Sequence, residues 1–233
     1  MSDFFLHKFG RNPDLNTAQD DVWDYGSNYQ FPAVATSTQL VGLANDIPSS
    51  DGVHSVSVEG LLADGTEVTE VATLNGATPV VLTNSFYRIN RMAIDAVGAT
   101  GINSGFIDIS HSGSATLGRI APLFGQTQQA VFTMPAGVSG HFTGWYFDAG
   151  QAGLFNNVKG NVALQTRAPG QGWRTKQSAN FTHTAPVDRK FDVPAPTFAV
   201  KPLTDIRVRV TVTNTDDLLA HGGFEIKGFR DIR

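Results

Sequence analysis

Histidines stand at His7, His54, His111, His141, His183 and His221, and glutamates only at Glu59, Glu67, Glu70 and Glu225. No two of the histidines fall at H-x-H, H-x3-H or H-E-x-x-H spacing, the patterns that turn two imidazoles toward one metal ion. His54 alternates with Ser55 and Val56, which suits a surface or pairing role on a strand. The chain has no cysteine, so neither a thiolate ligand nor a disulfide can be built. Glycoside hydrolysis needs two carboxyl groups facing each other across a cleft. Glu59, Glu67 and Glu70 instead fall on the alternating polar faces of one expected hairpin, where carboxylates are solvated. Asp216-Asp217 follows Asn214-Thr215 without the spaced oxygen ligands of a calcium loop, and reads as an Asx-type turn. There is no G-x-S-x-G elbow and no strand-to-helix phosphate loop, since Gly98-Ala99-Thr100-Gly101 sits between strands. No catalytic, cofactor-binding or metal-binding residue is assigned, and the chain is expected not to be an enzyme.

The elements that would position any site are strands. Apolar residues at i, i+3, i+4 and i+7 do not recur over a dozen residues free of Gly and Pro. The best short helical stretch, 117–121, is cut off by Pro122. Alternation of period two is general. In the run 53–60 it places Val56 and Val58 on one face and Ser55, Ser57 and Glu59 on the other. Asp64-Gly65 then separates that run from 66–74, a strong hairpin signal because both turn positions tolerate positive φ. Further strands are expected at 86–96, 105–110, 129–134, 141–149, 161–166, 173–182, 191–200, 206–213 and 223–229. Strands about ten residues apart with turn signals between them indicate an all-β chain of sandwich or jelly-roll type.

The 233 residues carry 17 Lys+Arg and 21 Asp+Glu, a net charge of −4, with charged residues only 16% of the whole. So sparse a charge in a chain with 24 Gly and 11 Pro suits a turn-rich scaffold. Residues 1–118 hold 4 basic and 13 acidic side chains, and 119–233 hold 13 and 8, an asymmetry that suits head-to-tail contact between copies or a charged partner. No basic cluster is dense enough for nucleic acid. Arg207-Val208-Arg209 places two arginines on one strand face. No stretch approaches the roughly 18 apolar residues of a membrane span, and the N-terminus lacks the pattern of a signal peptide. Two β-sandwich or jelly-roll-like modules are expected, 32–118 and 119–233, preceded by an extended arm, 1–31. The arm carries Phe4, Phe5, Phe9, Trp23, Tyr25, Tyr29 and Phe31 without a clear period. Such aromatics dock onto something else, their own domain or a neighbouring subunit where they act as anchors. The arm is expected to be ordered only when docked.

The segments 9–14 (FGRNPD) and 21–26 (DVWDYG) resemble the opening of small virion structural proteins of tailed bacteriophages. The stretches 58–65, 73–78, 85–91, 132–137 and 203–209, and the closing Gly223-Phe224-Glu225-Ile226, are similar in turn, so that the succession covers nearly the whole chain. The resemblance implies a capsid decoration (cement) protein, a homotrimer on the outer surface of the head. Its partners would be the major capsid protein and copies of itself, with no nucleic acid, membrane or small-molecule substrate. A tail adaptor, fibre-base or receptor-binding part is the alternative within the virion. A jelly-roll lectin or glycosidase is the alternative outside it.

Overall fold

The computed structural model describes residues 2–15, 19–112, 115–150, 158–183, 187–192, 198–213 and 218–230. The strands are β1 (Ser2–Leu15), β2 (Gln19–Asp21), β3 (Thr36–Val41), β4 (Val53–Leu61), β5 (Glu67–Thr73), β6 (Val80–Phe86), β7 (Arg88–Val97), β8 (Ile107–His111) and β9 (Thr116–Ile120). They continue with β10 (Val131–Thr133), β11 (Val138–Gly150), β12 (Val158–Arg167), β13 (Arg174–His183), β14 (Val187–Asp192), β15 (Ala199–Val200), β16 (Asp205–Val212) and β17 (Leu218–Arg230). The chain is all-β, and the stretch that came nearest to a helix in sequence is β9. The Asp216-Asp217 turn lies outside the described residues.

The strands form two units. One comprises residues 1–29 and 129–233, the other residues 30–128. The discontinuous unit has two sheets. In the first, β1, β17, β11 and β14 lie side by side, and β15 continues the β14 edge of β11. In the second, β16 is flanked on one side by β12 and then β13, and on the other by β10 and β2, end to end. Counting the end-to-end pairs as single positions, the eight positions run 1-8-3-6 in one sheet and 2-7-4-5 in the other, all antiparallel. That order is the jelly roll, two Greek keys folded on each other. Alternation on β16 shows why it forms: Ile206, Val208, Val210 and Val212 face the core, while Arg207 and Arg209 face outward. From the opposing sheet come Phe142, Trp145, Phe147, Phe224 and Ile226, all fully buried.

Of the extended arm expected over 1–31, residues 2–15 and 19–29 are therefore strand and strap of this unit. Ser2–Leu15 pairs with β17 from Ser2↔Arg230 to Leu15↔Leu218, with a register shift between Asn12 and Leu15, so it is docked within the chain as an edge strand. The expected boundaries at 31/32 and 118/119 fall at 29/30 and 128/129, and the first 29 residues share a unit with the last 105 or so. Gly10 shows how closely β1 is seated. A Cβ there would stand 2.2 Å from the Ala130 nitrogen and 2.3 Å from the Val22 oxygen.

The second unit is inserted between β2 and β10, the two halves of one jelly-roll position. It is a sandwich of β6-β3-β8-β9 on β5-β4-β7, with Leu40, Val56, Val58, Phe86, Ile89, Met92, Ile107 and Ile109 in its core. The β4–β5 hairpin pairs Leu61 with Glu67 around Asp64-Gly65, and Gly65 takes φ 82°. In the first unit, an antiparallel bridge between Trp23 and Gln129 holds the departing and returning chain together.

Candidate interaction surfaces

The seven aromatics of the first 31 residues go to four places. Phe4 packs on the jelly-roll core, and its ring lies where a Cβ on Gly228, directly opposite on β17, would fall. Phe5 and Phe9 point the other way, to the outer face of that sheet, with Phe5 63% exposed. Trp23, Tyr25 and Tyr29 form a cluster in the strap after β2, the Trp23 ring lying 5.2 Å from Tyr25 and 4.9 Å from Tyr29. Trp23 and Tyr29 are buried there, and Tyr25 is exposed. Phe31 belongs to the inserted unit, its ring 5.5 Å from the Arg88 guanidinium. The structure does not bring the seven together; Phe5 and Tyr25 are the two left exposed.

Around Phe5 the outer face is aromatic and ionisable. His7 lies opposite Glu225, its Nδ1 3.6 Å from the carboxylate, while its Nε2 is 3.4 Å from the Tyr146 hydroxyl. Burial, and then the Glu225 charge, push the Tyr146 phenol above its ordinary value. Farther along, His221 faces Asp148 at 3.9 Å. Burial holds its imidazole below the usual range; Asp148 opposes this and Arg11 adds to it. Gly223 keeps the sheet low beside Tyr146, since a Cβ there would lie 2.6 Å from the Tyr146 hydroxyl.

The outer face of the other sheet carries a charged lattice. Asp21, at the end of β2, accepts from the Tyr29 N–H at 2.8 Å, from Arg209 Nε at 3.0 Å and, more distantly, from Arg207 at 3.5 Å. Arg209 also reaches Asn28. Arg207 donates to Gln165 at 3.0 Å and stacks on the Trp173 ring at 3.8 Å. Arg167 lies 4.7 Å from the same ring and pairs with Asp205 at 2.6 Å, and Asp205 also accepts from Thr133 at 2.7 Å. Burial lowers the Arg207 pKa to about 10, against the pull of Asp21. Burial raises the Asp21 carboxyl, opposed by Arg207 and Arg209. The two arginines of the Arg207-Val208-Arg209 alternation thus fasten the strap 19–29 to the jelly roll. Trp145 is core, stacked 4.2 Å from Phe191. Trp173 lies outside the core, half-buried beneath arginine.

In the inserted unit, the glutamates of the β4–β5 hairpin take structural partners. Glu59 pairs with Arg91 at 3.0 Å. Glu70, on β5, accepts from the backbone N–H groups of Thr83 at 2.7 Å and Asn84 at 2.9 Å, joining the edges of the two sheets. His54 lies 2.8 Å from the Ser50 carbonyl oxygen. One feature of this unit gave no sequence signal, an apolar tip. Fully buried Asn103 donates to the Gly105 and Ala121 carbonyls at 2.8 and 2.7 Å and accepts from the Gly125 N–H at 3.2 Å. This fixes the turn that carries Leu123, 69% exposed and at φ 69°, a region that side chains other than glycine seldom adopt. Phe124 and, beyond Gly105, Phe106 and Leu43 are exposed with it.

Among the described residues no three His, Asp or Glu side chains converge as metal ligands, and no helix is long and apolar enough to cross a membrane. These surfaces define a class: an all-β protein of two sandwiches, a jelly roll and an inserted unit, whose polar side chains fasten and shape sheet faces. No family model matches the chain, and no curated protein matches it. Two solved structures of infectious bursal disease virus are similar to it. The Gt strain structure is 12% identical over 100% of this chain and 77% of that chain, with TM-score 0.23. The Gx strain structure is 10% identical over 99% and 73%, with TM-score 0.20. Likeness at those scores carries no argument about what this chain does.

Proposed function

We propose that the protein is a virion structural protein of a tailed bacteriophage, and specifically a capsid decoration (cement) protein. In this reading it binds the outer surface of the major capsid protein lattice as a homotrimer and stabilises the head without transforming a substrate. The observation that carries the proposal is the jelly-roll strand order of the discontinuous unit, a scaffold used by capsid domains among others. The fold alone does not assign a function. The resemblance of successive segments to phage virion proteins, and the exposed apolar side chains on both units, favour this use of it. Cement proteins act by adding buried surface at junctions between capsomers, and Phe5 and Leu123 are exposed for that. Tyr25 adds an exposed aromatic of the kind enriched at interface anchors.

Copy number tests the location. Quantitative mass spectrometry of purified particles is expected to find hundreds of copies of this chain per head, and light scattering to give a mass three times the 25.0 kDa of the chain. A few dozen copies or fewer would assign it to the tail, as an adaptor or receptor-binding part. That second reading has its own support in the exposed loop before Trp173, beside a cationic cleft.

A further inference from the structure

One end of the jelly roll holds a cleft of about 410 Å³, within the range of small-ligand sites. Its two lips are matching turns. In Ala168-Pro169-Gly170-Gln171, the Gln171 N–H donates to the Ala168 carbonyl at 3.0 Å and Gly170 takes φ 70°. In Lys201-Pro202-Leu203-Thr204, the Thr204 N–H points to the Lys201 carbonyl at 3.3 Å and Leu203 takes φ 59°. Both have proline second and positive φ third, the type II pattern, but the second places leucine where glycine is the ordinary choice. That strained turn is held from behind by Met134, whose carbonyl accepts from Leu203 at 2.9 Å and whose N–H donates to Thr204 at 3.0 Å. The structure therefore keeps Lys201 at the lip in spite of local backbone preference, and strain of this kind gathers at binding sites.

The lining is cationic. Arg174, Lys176 and Lys201 border the cleft, and among the described residues no carboxylate does. The nearest acid in sequence, Asp205, is engaged by Arg167 and Thr133. Thr166, Thr204 and Gln171 add hydroxyl and amide groups, and Ala168, Pro169 and Ala199 add small apolar surface. Cations alone would suit any anion. Cations together with hydroxyls, an amide and small apolar side chains suit a ring that bears both a carboxylate and hydroxyl groups. We infer that this cleft binds an acidic saccharide, a uronic-acid type of sugar whose carboxylate meets Lys176, Lys201 and Arg174. The assignment goes beyond the virion reading and stands for a head or a tail protein alike.

The test is a titration of the full chain followed by assigned amide NMR shifts, with digalacturonate, neutral lactose and inorganic phosphate as probes. Digalacturonate is expected to saturate, with shifts confined to 166–176 and 199–204, and lactose to give none. The double variant Lys176→Glu, Lys201→Glu is expected to weaken digalacturonate at least tenfold while the control Lys227→Glu, on the opposite sheet, leaves it unchanged. Phosphate binding as tightly as digalacturonate would overturn the saccharide assignment in favour of a free-anion site. Equal weakening by Lys227→Glu, or no saturable binding, would overturn the site itself. None of these outcomes depends on where the chain sits in a particle, so failure here and failure of the virion reading are told apart.

Discussion

Asp21 has three donors on a carboxylate with no solvent exposure, and one of them, Arg207, is itself only 5% exposed. The cost of burying such a group is met only while its partners stay in place, so removing one partner leaves the other stranded. Asp21→Ala is expected to destabilise the jelly-roll unit by about 3–5 kcal/mol. Adding Arg207→Met, which removes the more buried of the two arginines left behind and keeps an apolar stem against Trp173, is expected to restore part of that loss. Urea denaturation of the two variants, followed by tryptophan emission, checks both. If the double variant is as unstable as the single one, the ion pair is not what the strap depends on.

Elements join through a few such contacts, and Glu70 links the β5 and β6 sheet edges of the inserted unit. Burial pushes its carboxyl up, but the Thr83 and Asn84 N–H groups and the Asn84 amide outweigh that, leaving it below the ordinary 4.5. A carboxyl whose folded pKa is depressed contributes stability that is fully present above the unfolded value and lost as pH falls through the folded one. Glu70→Gln is accordingly expected to cost about 1–2 kcal/mol at pH 7, with the gap to the parent beginning to close as pH falls below 4.5 and closing fully only once pH has passed the lower folded value, where the parent's own carboxylate takes up its proton. Thermal unfolding of both chains between pH 7 and pH 3 reads this. The β4–β5 hairpin that presents Glu70 was legible in sequence, because its turn residues and its alternation agree locally. So were most other strands. β1 was not, because Phe5 and Phe9 face outward while Lys8, Gly10 and Asn12 face in, which erases period two, and its partner β17 lies at the far end of the chain. The apolar tip was illegible for another reason. Positive φ at Leu123 and Leu203 is imposed by buried hydrogen bonds from Asn103 and Met134, not by the residues in the turn. The Arg207–Asp21 pair joins residues 186 apart, and only the fold puts them together.

At the scale of the whole chain, the two units have separate cores, and residues 30–128 enter and leave through a pair of crossings pinned at Trp23 and Gln129. Separate cores imply separate cooperative transitions. All three tryptophans, Trp23, Trp145 and Trp173, belong to the jelly-roll unit and none to the inserted one, so emission follows one unit while far-ultraviolet circular dichroism follows both. Two transitions are expected by circular dichroism and one by emission. Asp21→Ala should move only the transition seen in emission, and Glu70→Gln only the other. Replacing residues 30–128 by a short Gly-Ser linker between Tyr29 and Gln129 should leave the emission transition in place, because the bridge between Trp23 and Gln129 already brings the two ends together. β2 and β10 would still lie end to end on β16 without the insert between them. Loss of the emission transition on excision would show that the jelly roll needs the inserted unit to fold, and the chain would then be one cooperative body despite its two cores.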